Sequence, residues 1–226
     1  MVKQLGLEME GCDYSEEEIV EVLLAAAAKQ TSIEQICKAS EIAPSGNTVR
    51  GIIRDQLNLK KAEEKVNAAF AEKLPKRLKK KKRGHRTAID LVLIPYHGQP
   101  DEKESEIVRS QAKSGTTHFH AYATAFIVER GKRFTLALTF VRSTDDLTEI
   151  IHRLQNRVKV LEIRVKCLLL DREFYTVEMI RDLKQQKQKF IIPVIIRGKK
   201  NPPGGSRVLV QGKTSYWTRS VDRNEW

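Results

Sequence analysis

The sequence contains no run of about eighteen apolar residues, so no stretch of it is long enough to span a bilayer as a helix. Met1-Val2-Lys3 leads toward acids where a secretory leader would continue into an apolar stretch, and a cytoplasmic protein is expected. Cysteine is scarce: Cys12, Cys37 and Cys167 are odd in number and too widely spaced for a C-x-x-C metal pair, so reduced, packed thiols are expected. No internal repeat is visible. Acid is missing from one stretch altogether: residues 73–86 hold nine Lys/Arg and neither Asp nor Glu.

What is present is an uneven charge. The chain of 226 residues carries a formal +12 despite 29 acids, and residues 1–30 hold seven acids against two bases. A basic block of this density repels itself and stays solvated. It also attracts phosphate backbones through counterion release. Lys79, Lys80, Lys81, Lys82, Arg83 and Arg86 are therefore candidate DNA-backbone contacts in a basic linker, residues 73–86, between two domains.

The front domain, residues 1–72, reads as helical. Ser15 and Glu18 form a capping-box pattern ahead of Ile19, Val22, Leu23 and Ala26, and Thr31 with Glu34 repeats it for a short second helix. A tight turn through Pro44-Ser45-Gly46 follows, and Asn47 is placed to cap a third helix with Val49, Ile52, Ile53 and Leu57 inward. Thr48, Arg50 and Arg54 then face outward. This is the outline of a helix-turn-helix, and those three side chains are the ones that would reach phosphates and base edges. A plain packing bundle would show the same apolar spacing. Residues 60–73 read as one more helix.

From Ala88 the period changes. Residues 88–94 are apolar almost throughout, as in a strand covered on both faces, with Pro95 as its end. Strands follow at 119–129 and 134–141 around Arg130-Gly131-Lys132, then a helix capped by Thr144 or Asp145. A buried strand at 165–170, a helix at 177–188 and a strand at 190–196 complete the pattern. The order β-β-β-α-β-α-β implies an α/β fold with a mixed, RNase H-like sheet over residues 87–226, preceded by the small all-α domain. Beyond Arg197, residues 198–207 read as a loop and 208–217 as a hairpin or edge strand.

Asp90 sits inside an apolar strand, where an ionised carboxylate without a partner costs several kcal/mol. Asp171 ends the run Cys167-Leu168-Leu169-Leu170 where a parallel strand hands over to its helix, the edge at which open α/β sheets bind ligands. Each taken separately could be a strand-end or capping residue. If their strands are neighbours, the two converge on one site. Hard oxygen donors suit Mg²⁺ or Mn²⁺, and two such ions about 3.5–4 Å apart would activate a water and stabilise a leaving 3′ oxygen.

The segments 88–98 (AIDLVLIPYHG), 117–141 and above all 169–175 (LLDREFY) resemble those of DDE-type insertion-sequence transposases. The resemblance covers residues 84–197. It implies that Asp90 and Asp171 are catalytic metal ligands and that Arg172, Phe174 and Tyr175 complete the second motif, with Arg172 near the DNA. It also implies Mg²⁺-dependent strand cleavage and transfer on double-stranded DNA, element ends and target alike, in a prokaryotic cytoplasm with nucleoid association; a homodimer is allowed for. The family's third ligand is a Glu four residues past an Arg that itself lies three past a Tyr. Here Tyr216 and Arg219 are followed by Arg223, and Glu225 lacks a helical pattern around it. The core is thus expected to be catalytically incomplete, and a non-catalytic DNA-binding remnant is the alternative.

Other features weigh less. His118 and His120 share a strand face but lack a third ligand nearby. Gly212-Lys213-Thr214 imitates the end of a P-loop with Arg207 where its first glycine belongs, so no nucleotide cofactor is expected. Tyr216 and Trp217 could stack on a base or pin a hairpin, and Lys199, Lys200 and Arg207 could line a DNA path or solvate a loop. An RNA-binding role would account for the basic charge but not for Asp90. In a salt titration, duplex DNA is expected to bind more tightly than RNA of the same length, with affinity falling steeply as salt rises; tighter RNA binding would contradict the DNA reading.

Overall fold

Helices of the front part start where the sequence offers a side-chain oxygen. In the structure, a computed structural model, residues 6–40, 43–80, 82–99, 105–129, 131–196 and 198 are described. Lys81, Lys199, Lys200, Arg207, most of the loop expected at 198–207, the edge strand expected at 208–217, the P-loop-like tripeptide and the Tyr216 to Glu225 segment lie outside the described residues.

Helix α1 (Glu16–Lys29) opens with the expected box: Ser15 Oγ accepts from the Glu18 amide at 3.3 Å, and the Glu18 carboxylate accepts from the Ser15 amide at 2.7 Å. Helix α2 (Ile33–Ala39) is capped by Ser32, not Thr31, and α3 (Gly46–Gln56) by Ser45, not Asn47. In both places two capping residues stand close together, and the one whose oxygen meets the amide three residues on takes the role. Asn58 Oδ1 accepts from the Lys61 amide at 2.9 Å ahead of α4 (Leu59–Lys73). Leu7, Ile19, Val22, Ala26, Ile36, Cys37 and Val49 form the core of this unit, with Ile52, Ile53 and Leu57 packed against it.

The chain divides into two compact units at Glu72/Lys73. The second begins inside the basic stretch. Within residues 73–86, expected as a solvated linker, helix α5 (Lys76–Lys79) sits behind Pro75, and Leu74 and Leu78 are buried in the second unit's core. His85 is buried as well, and its Nε2 donates to the Leu78 carbonyl at 2.8 Å. The described lysines face water while the leucines face inward.

Among the described residues, six strands make one mixed sheet: β1 (His85–Tyr96), β2 (Ile107–Lys113), β3 (Thr116–Glu129), β4 (Lys132–Val141), β5 (Val165–Leu170) and β6 (Phe190–Ile191). Their order is β2-β3-β1-β5-β6, with β4 also on β3. Pairing is antiparallel among β1 to β4 and parallel from β1 to β5 and β5 to β6. Strand β3 is long enough for β2 and β4 to share one of its edges end to end, β2 meeting Thr116–His120 and β4 meeting Ala121–Glu129.

Four strands therefore precede the first crossover helix, one more than the sequence pattern implies. The addition, β2, buries only its first residue, so it carries no apolar signal. A two-residue turn, Ser114 and Gly115 at φ 51° and 78°, joins it to β3, a geometry for which glycine is well suited. Strand β1 runs through Pro95 to Tyr96, because past Ile89 its second edge has no ladder to break. The last strand is two residues long, not seven, and the second crossover helix ends at Gln185.

Helices α6 (Leu147–Val160) and α7 (Val177–Gln185) lie on one face of the sheet. Asp146 caps α6, while Asp145 instead accepts from the Arg142 amide and pairs with Arg153 at 2.6 Å. Ile150, Ile151, Leu154, Met179 and Leu183 pack against Ile89, Leu168, Leu170 and the small row Ala121, Ala123 and Ala125, which lets the helices approach closely. His152 Nε2 and Asp182 Oδ2 join the two helices at 2.9 Å. The other sheet face is half exposed, so β1 is not covered on both sides as its composition implies. No helix among the described residues is long and apolar enough to cross a membrane.

Leu154 is fully buried in this core. Leu154→Ala is expected to lower the unfolding free energy by about 2–5 kcal/mol in urea titrations followed by circular dichroism; a change near zero would mean α6 is not seated as described.

Candidate functional site

The parallel ladder between β1 and β5 ends at the pair Ile89 and Leu170. Asp90 is the next residue on β1, and Asp171 follows directly past the end of β5, its backbone still extended. At ordinary sheet spacing their backbones stand about 4.8 Å apart. Ile89 and Leu170 point into the helix-covered core, so alternation turns both carboxylates to the opposite, open face.

Their surroundings differ. Asp90 is half buried, and among the described residues its carboxylate has no hydrogen-bond or ion-pair partner. Asp171 is exposed, and its Oδ1 accepts from the Arg172 amide at 2.6 Å, which caps the short 3₁₀ turn Arg172–Phe174. The remaining motif residues are structural: Phe174 is fully buried in the core and Tyr175 packs against it, while Thr176 caps α7 by accepting from the Met179 amide at 3.1 Å. Arg172 is exposed beside Asp171.

Strand β3 supplies the other wall. Thr124 stands directly across from Asp90 and is 6% exposed. Arg133, from the start of β4, donates from Nη2 to Thr124 Oγ1 at 3.3 Å, and its guanidinium lies 3.5 Å from the centre of the Phe126 ring. Nothing in the local sequence singles out this arginine; only the register of β3 on β1 and β4 brings it beside Asp90.

Two histidines share the open face but not the site. His120 is the partner of Ile94, four residues beyond Asp90 and so about 13 Å along β1. Its ring meets Tyr96 edge-on at 5.2 Å, while His118 Nδ1 lies 3.4 Å from Thr117 Oγ1. Among the described residues no group of three or more His, Cys, Asp or Glu side chains is placed to hold a metal ion. The acidic pair stands without a third such ligand there.

The basic candidates fall in two places. Lys79, Lys80, Lys82 and Arg83 are exposed around α5 and the turn after it, with Lys79 Nζ 3.9 Å from Glu162. Arg86 is exposed on β1, four residues ahead of Asp90. In the helical unit, Thr48, Arg50 and Arg54 are exposed on α3. Arg50 is tied to Asn47 at 2.6 Å and Glu34 at 3.3 Å, while Arg54 meets its neighbour Asp55 at 3.1 Å. Gly84, at φ +69°, leads into β1 where a Cβ would stand 2.8 Å from the Arg164 carbonyl, so only glycine brings the basic turn so close to β5.

No family model matches the chain, and no curated protein matches it. Among solved structures it is similar to a piggyBac transposase in a synaptic complex with hairpin DNA, at 13% identity and a TM-score of 0.50. That match covers 90% of this chain and 46% of the other, so the chain spans less than half of the transposase's length. The Mos1 strand transfer complex is also matched, at 14% identity and a TM-score of 0.23, over 78% of this chain and 57% of that one. What the first comparison shows is a shared, transposase-like fold.

Two like charges on adjacent strand positions repel. Asp90→Asn is expected to raise the thermal midpoint in EDTA, by roughly 1 kcal/mol in stability, and Mg²⁺ is expected to raise the midpoint of the unsubstituted protein but not that of Asp90→Asn. A differential scanning measurement in which Mg²⁺ stabilises both proteins equally would contradict a shared cation.

Proposed function

We propose that this chain is a DNA transposase-like protein of the DDE insertion-sequence type, in which Asp90 and Asp171 hold a divalent cation for phosphodiester cleavage and strand transfer. The observation that supports this reading is the β1–β5 register: two carboxylates on adjacent strands, facing one way, one of them half buried with no partner among the described residues. A buried-side carboxylate without a partner is costly, and a hard cation offsets that cost. The donor set fits Mg²⁺ or Mn²⁺, which when bound supplies Lewis-acid activation of the attacking oxygen and charge stabilisation on the leaving one.

The chain's own residues do the rest. Asp90, fixed in mid-strand, offers both carboxylate oxygens. Asp171 offers the oxygen that its cap to Arg172 leaves over. Arg172 stands beside the pair where a phosphate would come to lie, and Arg86, Lys79, Lys80, Lys82 and Arg83 extend a positive surface toward the start of β1. The strand order, with hairpin strands on one side of β1 and parallel strands on the other, supports an RNase H-like core. Helices α2 and α3 are read as a helix-turn-helix that offers Thr48, Arg50 and Arg54 to DNA, with Thr48 released from Ser45, Arg50 from Glu34 and Arg54 from Asp55 on binding.

A second reading has an observation of its own. With no third acidic ligand among the described residues, the protein can occupy DNA without cutting it, as a competitor of intact transposase. Plasmid nicking with Mg²⁺ or Mn²⁺, run beside duplex binding, separates the two. Cleavage that falls to background in Asp90→Ala is expected of the enzyme. Undiminished binding with no cleavage above that control removes the catalytic reading and leaves the second.

A further inference from the structure

Arg133 occupies an unusual position for a surface cation. It is the strand partner of Val128, near the turn between β3 and β4, yet its side chain runs back along β3 over Phe126 to Thr124. Thr124 in turn is the strand partner of Asp90. The guanidinium is thus carried from the end of the hairpin to within about one strand spacing of Asp90, the nearer of the two acids, on the same open face.

Two contacts hold it there. Stacking on Phe126 fixes the plane of the guanidinium, and the bond to the buried Thr124 hydroxyl fixes its reach. Neither exhausts it. Arginine has five N–H donors, and only the one to Thr124 is engaged among the described residues; the residue remains exposed. Nor does it pair with Asp90, although both flank Thr124, for no nitrogen of Arg133 comes within 4.0 Å of that carboxylate. A cation and an anion are therefore held side by side without neutralising each other. Such an arrangement suits a ligand carrying both a cation for the carboxylates and an anionic oxygen for the arginine.

We propose that Arg133 binds a non-bridging oxygen of the nucleic-acid phosphate that lies against Asp90 and Asp171. This rests on the function proposed above and names a residue of that site which neither acidic motif contains. A planar fork already stacked and anchored meets phosphate in two-point fashion, with little ordering left to do on binding. Lysine at this position would keep the charge but lose both the stack and the fork.

The test uses the full chain and a short duplex DNA, with binding followed by fluorescence anisotropy in Mn²⁺ and in EDTA. Arg133→Ala is expected to weaken binding by about tenfold in Mn²⁺ and to lower the salt slope by about 0.9. Arg133→Lys is expected to recover the slope but only part of the affinity, and Phe126→Leu, which keeps the charge and removes the ring, to fall between the alanine variant and the unsubstituted protein. Lys113→Ala, an exposed cation on β2, serves as the charge-matched control and is expected to leave affinity nearly unchanged. If Arg133→Ala fails to fold, the lysine and leucine variants carry the same comparison. Equal affinity and equal slope for Arg133→Ala and the unsubstituted protein overturn the proposal, whatever happens to the thermal midpoint. Failure of the metal reading looks different: Mn²⁺ then gives no gain in DNA affinity to any variant, while the contribution of Arg133 is still read in EDTA.

Discussion

The open face of this sheet depends on one parallel ladder. Strands β1 and β5 are locked by the burial of Ile89 and Leu170 beneath α6 and α7, and that lock alone decides where the next residue on each strand must point. A slip of one residue would exchange the faces and drive a carboxylate into a core of leucine and isoleucine. The hydrophobic packing is therefore what makes an acidic pair tolerable: it fixes two groups that repel each other on the side where water and ions can reach them.

The two faces divide the labour accordingly. One is closed by two helices over a row of alanines, at the density of a folded core. The other carries Asp90, Asp171, Thr124, Arg133 and Phe126, a mixture that makes poor packing and leaves both charges and an aromatic ring on the open side. The helical unit is organised on other terms, by hydroxyl caps and a small apolar cluster, and its exposed Thr48 and Arg54 owe nothing to the sheet.

Much of this could be read from residues alone, and the reasons are local. Asp90 stood out because an acid inside an apolar strand needs an explanation, and Asp171 because it closes an apolar run ahead of a helix. Capping hydroxyls and the 3.6-residue spacing of Ile150, Leu154 and Val158 marked helices. The rest has no signature in the local pattern. Strand β2 is polar and recruited by the edge of β3, so it has no apolar alternation of its own. The cap of α3 was placed at Asn47 because two suitable residues stand close together and only backbone geometry chooses. Leu74 and Leu78 sit among so many lysines that composition hides their anchoring role. Arg133 was illegible for the deepest reason, since its position arises from three strands in register and from no pattern along any of them.

Asp171 shows how such a site can be both scaffold and instrument. One of its oxygens is committed to the amide that starts the turn into α7, and the other is at liberty. Structure and the proposed chemistry are thus allotted to different atoms of a single side chain. An amide in its place could keep the turn while surrendering the charge, so under the proposed function a lineage that abandoned catalysis would lose the reaction here and retain the architecture intact.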